Sequence, residues 1–115
     1  MLSKQNRLSL RTDRLRLEKE GRTFHTSLFI IVIASSSLGV SSPPRFAFLV
    51  TKKLAPLSVE RHRLRRIITE VLRHNLAKFP LGRDLLLIPK RPLLTSTTDQ
   101  ILSDLTQITD KIPNS

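Results

Sequence analysis

Between Ser58 and Lys78 the apolar residues fall at a helical period: Leu64, Ile67, Ile68, Val71 and Leu72, with Asn75 and then Phe79, gather within roughly a third of the helical wheel. Such a segment must be a helix with one face in a core, and no other element constrains the fold as strongly. Ser58 is placed to N-cap it, Glu60 suits the positive end of its dipole, and Pro80 with Gly82 stops it. Opposite the apolar stripe, at about 100° per residue, come His62, Arg66 and Arg73, with Arg63 and Arg65 on the flanks. One element thus separates a core face from a cationic face.

The remaining segments supply a sheet for that helix to cover. Ser9 to Glu20 reads as a short helix, ended by Gly21 in the left-handed C′ conformation. Arg22 to His25 reads as a short strand, the β-branched run Thr26 to Ala34 as a longer one, and Leu38 to Pro44 as a loop. Arg45 to Thr51 alternates Phe46, Phe48 and Val50 with Ala47 and Leu49, the pattern of a strand covered on both sides. Asp84 to Ile88 has strand length between prolines. Thr97 and Gln100 form a capping-box pattern, followed by an apolar stripe of Ile101, Leu102, Leu105, Ile108 and Ile112. The expected fold is an α+β sandwich in the order α-β-β-β-α-β-α, with a mixed sheet of about four strands and three helices. The 115 residues suffice for one domain over 1–115, with the last few residues expected to be disordered.

Charge narrows the function. The net charge is +11 and the isoelectric point about 11.5, which points to a polyanionic partner. Residues 1–26 contribute +4, residues 45–91 contribute +9 and residues 92–115 contribute −2, so the binding surface is expected from the middle of the chain, assisted by the N-terminus. The longest apolar run, Leu28 to Ala34, is far below the ~20 residues that cross a bilayer. Its basic leader is not that of a secretory signal, and Asp13, Glu18 and Glu20 argue against a transit peptide. With no cysteine, thiolate chemistry and sulfur-ligated zinc are excluded, and a cytoplasmic protein that binds no membrane is expected.

Five arginines between Arg61 and Arg73, preceded by Lys52 and Lys53, can neutralise several phosphates through planar, bidentate hydrogen bonds. The alternative for these residues is a merely solvated helix face. Catalytic residues are scarce. His25, His62 and His74 show no metal-site spacing, the nine acids form no evident general acid and base pair, and three glycines build no phosphate loop. No metal ligand set and no protein-bound cofactor is expected. Phe46 and Phe48 fit either core packing or stacking on bases. A small non-enzymatic RNA-binding protein of ribosomal or RNA-chaperone type fits these features, and a stand-alone hydrolase would need a clustered acid, His or Ser site.

Four blocks in order resemble the bacterial ribonuclease P protein family. They are Leu2-Ser3-Lys4-Gln5-Asn6-Arg7-Leu8 with Asp13 and Gly21; Arg45-Phe46-Ala47-Phe48-Leu49-Val50-Thr51-Lys52-Lys53; the helix segment Arg61 to Arg73; and Gly82 to Pro92. The resemblance implies a left-handed β-α-β crossover. It also implies a protein subunit, a monomer in the complex, that assists a catalytic RNA in removing the 5′ leader from precursor tRNA, with Mg²⁺ in the RNA-containing holoenzyme. On that footing Asn6, Arg7, Lys52, Lys53, Arg61, His62, Arg63, Arg65, Arg66 and Arg73 would contact RNA, and Arg14, Arg16, Phe46 and Phe48 the leader. The chain departs from the family motif at His62, where the family has Asn, and at Thr69, where it has Arg. The turn after Lys53 is one residue longer and contains Pro56. Arg14, Glu18 and Val32 stand at cleft positions where the family often has aromatics. Docking through Arg61, Arg63, Arg65 and Arg66 therefore carries over more firmly than leader stacking.

Overall fold

The computed structural model describes residues 2–109, and the expected place of Ile112 on the last helix and the expected disorder of the last residues lie outside that range. Helix α1 (Leu10–Glu20) leads into strands β1 (Arg22–His25), β2 (Phe29–Ser35) and β3 (Arg45–Phe48); helix α2 (Ser58–Arg73), strand β4 (Arg83–Pro89) and helix α3 (Thr98–Thr109) follow. The sheet order is β1-β2-β4-β3. The pairs β1/β2 and β2/β4 are antiparallel and β3/β4 is parallel, so α2 is the crossover of a β-α-β unit. This is the expected mixed α+β arrangement of three helices on a four-stranded sheet.

Register assigns the faces. Ile33 and Phe46 both pair with Leu85, and Ile31 and Phe48 both pair with Leu87. Side chains alternate along a strand, so these residues share one face, and there they join Leu64, Ile68 and Leu72 of α2 and Ile101, Leu105 and Ile108 of α3 in the main core. The other face, carrying Ala34, Ala47 and Leu86, holds Leu8 and Leu17 in a smaller cluster under α1. The alternation of Phe46, Phe48 and Val50 with Ala47 and Leu49 is therefore real, and both faces are covered.

Several boundaries differ from expectation. Ser58 is the first helical residue, Leu57 occupies the N-cap, and no side chain caps this end. Helix α2 stops at Arg73, and the Asn75 amide donates to the Val71 carbonyl at 2.7 Å before a 3-10 turn over Leu76–Lys78. Thr26 to Leu28 is a turn rather than strand, because buried Asp104 of α3 accepts hydrogen bonds from the Thr26 hydroxyl and the Leu28 amide. The capping box is reciprocal, with Thr97 N donating to Gln100 Oε1 at 2.9 Å and Gln100 N to Thr97 Oγ1 at 3.2 Å.

Gly21 is not left-handed; its φ is −75°. Glycine is needed because a Cβ would sit 2.3 Å from the Leu17 carbonyl oxygen and 2.5 Å from Val32 Cγ1, where α1 meets β2. Since the backbone there suits any residue, Gly21→Ala should destabilise through overpacking alone, by about 1 to 3 kcal/mol in urea denaturation. A neutral result would show that α1 can lift from the sheet at no cost.

Candidate nucleic-acid interface

The arginines divide by what already holds them. Buried Asp84, with no exposed surface, receives two bonds from Arg45, Nε to Oδ1 and Nη2 to Oδ2, both 2.8 Å, and a third from Arg16 Nη2. Arg16 also reaches Asp13 at 3.1 Å and the Ser35 carbonyl at 2.7 Å. Hydrogen bonds to Asp84 raise the Arg45 pKa above its ordinary value; at Arg16 burial works against the charge, and the bonds to Asp84 and Asp13 outweigh it. This network ties α1 to the ends of β2, β3 and β4. Arg61 closes the turn before α2, giving Nη1 bonds of 2.9 Å to the carbonyls of Ala55 and Pro56. Arg73 pairs with Glu70 at 2.9 Å, and the hydrogen bond from Arg73 holds that carboxyl below the usual range.

A second set has no such partner. Among the described residues, exposed His62, Arg63, Arg65 and Arg66 on α2 and exposed Lys52 and Lys53 before it form no ion pair and no side-chain hydrogen bond. Arg7 is likewise exposed, and its backbone bridges to Phe46 at the edge of β3. Cations that no carboxylate neutralises are those that phosphates can take without first breaking an ion pair. A concavity of about 330 Å³ lies between α2 and β3, lined by Phe48, His62, Arg65, Arg66 and Thr69.

Three expected site residues are engaged within the fold. Asn6 is 2% exposed and donates from Nδ2 to the Pro44 carbonyl at 2.8 Å, so it fastens the N-terminal segment. Phe46, also 2% exposed, packs edge-on against Phe79 with ring centroids 5.2 Å apart, and offers no platform to a base. Arg16 is committed to Asp84, Asp13 and Ser35. The sheet also divides the expected leader set. Half-buried Phe48 lies on the α2 and α3 face, whereas Arg14 is on α1 across the sheet, in an exposed 3.3 Å pair with Glu18. Val32 packs on the α1 side with Leu17.

The Asp84 network and the hollow at Thr69 were not anticipated. A lone acid inside the apolar run Asp84 to Ile88 was the available signal for the first, since a buried carboxylate needs a cationic partner. Nothing in the sequence marks the hollow, because it depends on how α2 lies over β3.

A family model described as Ribonuclease P matches residues 2–113. The chain belongs to this family. It is 34% identical to the ribonuclease P protein component of Finegoldia magna over 96 residues, 84% of this chain and 80% of that one. It is 30% identical to that of Thermotoga maritima over 91 residues, 79% of this chain and 74% of that one. The solved RNase P protein from Thermotoga maritima superposes with a TM-score of 0.81 over 94% of this chain and 98% of that chain, at 24% identity. The Staphylococcus aureus RNase P protein gives a TM-score of 0.74 over 94% of each chain, at 25% identity. The four blocks that resemble the family fall on distinct elements of this fold: the N-terminal one runs beside β3, the second forms β3 and the lysine turn, the third is α2, and the fourth is β4 with its flanks. No helix of the described residues is long and apolar enough to cross a membrane.

Proposed function

We propose that this chain is the protein subunit of the ribonuclease P ribonucleoprotein and works by binding RNA. Phosphates of the catalytic RNA lie along Arg63, Arg65 and Arg66, assisted by Arg7, while the exposed turn of Lys52 and Lys53 holds the precursor tRNA leader by charge. The observation that carries this reading is the row of α2 arginines without acidic partners, in a chain whose Arg16, Arg45, Arg61 and Arg73 are all paired or bonded. A planar guanidinium presents a fork of donors to phosphate oxygens, and counterions released from the RNA supply the free energy. Arg61 and Arg73 border this surface, Arg61 shaping the turn that delivers Lys52 and Lys53 to it.

Cleavage itself falls to the RNA. Asp13 and Asp84 are both occupied by arginine, and among the described residues no three His, Asp or Glu side chains gather as a metal site. In this reading the Mg²⁺ of the holoenzyme is held by phosphate and water ligands of the RNA. The reading has one copy of the protein per complex, in the cytoplasm.

Reconstitution tests it. The protein alone should leave precursor tRNA intact, and adding it to a bacterial ribonuclease P RNA should raise cleavage at low Mg²⁺, where phosphate repulsion is least screened. Robust cleavage by RNA-free protein, or no gain on adding it to the RNA, would overturn the proposal.

A further inference from the structure

The hollow between α2 and β3 joins two kinds of surface that a phosphate backbone alone does not need. Phe48 contributes an apolar wall, half-buried and packed on the main core, and stays partly open on the face where Phe46 is sealed inside. His62, Arg65, Arg66 and Thr69 stand one turn apart on a single stripe of α2, the i, i+3, i+4, i+7 relation, and rim the same space. Both guanidiniums are exposed and uncommitted, as is the imidazole. At about 330 Å³ the hollow lies at the small end of ligand clefts, which run from roughly 300 to 1,000 Å³.

His62 and Thr69 stand at the two ends of this stripe and both line the hollow. The short Thr69 side chain leaves room beside Phe48, and His62 brings a flat ring. The ligand that fits is therefore flat and apolar at one end and anionic at the other.

We propose that this hollow takes one unpaired nucleotide of the bound RNA, its base packed against Phe48 and between the planar groups of His62 and Arg65 or Arg66, and its phosphate held by these arginines. The Thr69 hydroxyl supplies a donor or acceptor to the base edge or ribose. Stacking of this kind tolerates any base, because each has a π-face. The contact rests on the RNA-binding reading above and adds to it a base-dependent component on the α2 side of the sheet, away from α1.

The test uses the full chain and two single-stranded oligoribonucleotides of equal phosphate number, one with bases and one abasic, each titrated at several salt concentrations. The wild-type protein should bind the oligonucleotide with bases at least about fivefold more tightly, as expected of one stacked base. Phe48→Leu should remove most of that difference while leaving the salt slope unchanged. Because Phe48 also touches the core, Thr69→Arg provides a second variant at the helix surface; it fills the hollow and should erase the base preference although it adds a cation. Equal binding of both oligonucleotides by wild type, or a base preference untouched by both variants, would overturn the nucleotide site and leave the RNA-binding reading standing. Salt-independent or absent binding of both oligonucleotides would sink that reading, and the nucleotide site with it.

Discussion

Asp84→Ala should destabilise the protein by about 3 to 5 kcal/mol, the usual consequence of removing one member of a buried ion-pair network. The carboxylate has no exposed surface, and the Arg45 and Arg16 side chains that converge on it are only 12% and 20% exposed. Truncation leaves two guanidiniums facing each other in a poorly solvated space, with Asp13 as the remaining acid. For a domain whose total stability is of the order of 5 to 15 kcal/mol, that is a large fraction. The missing charge rather than the missing volume should be responsible. Replacing the whole set, with Asp84→Leu, Arg16→Met and Arg45→Met together, should recover most of the stability, because apolar packing of similar volume substitutes well for buried ion networks. Urea denaturation of the single and triple variants decides it. A destabilisation below about 1 kcal/mol for Asp84→Ala would mean that water already reaches these groups.

That network also marks the boundary of what the sequence discloses. Elements set by local rules were legible: the α2 stripe, the alternation through β3, and the Thr97 and Gln100 capping box all depend on residues within a few positions of each other. Roles set by long-range packing were not. Gly21 looks like a helix stop from its neighbours, yet what requires it is the close approach of the Leu17 carbonyl and of Val32, the latter a residue of β2. Phe46 and Phe48 are two apart and so must share a face, but only the tertiary arrangement reveals that Phe79 seals the first and that an open hollow adjoins the second. Arg16 and Arg65 are equivalent by composition. One is spent on a carboxylate 68 positions away, and the other has no carboxylate within reach. Periodicity and charge located the cationic helix, whereas the structure sorted its residues into those that hold the fold and those left for a partner.

The sharpest consequence of that sorting is that Arg65→Glu with Arg66→Glu should cripple RNA binding without harming the fold. Neither side chain is buried or bonded, so circular dichroism and the denaturation midpoint should stay near wild type, as for exposed substitutions that usually fall within about 0.5 kcal/mol. Affinity for a bacterial ribonuclease P RNA should fall by orders of magnitude, and the log-log salt slope should flatten by roughly 0.7 to 0.9 for each phosphate that the protein no longer neutralises. A drop in affinity alone would be ambiguous, since the chain carries +11 and any added acid weakens long-range attraction. The control is therefore Arg22→Glu with Arg91→Glu, which makes the same change in net charge at exposed positions on β1 and beyond β4. If specific phosphates sit on α2, the control should lower affinity modestly and leave the slope close to wild type, while the α2 pair changes both. Equal effects from the two pairs would mean that the RNA senses only the total charge, and that the unpaired arginines of α2 form a solvated face like any other.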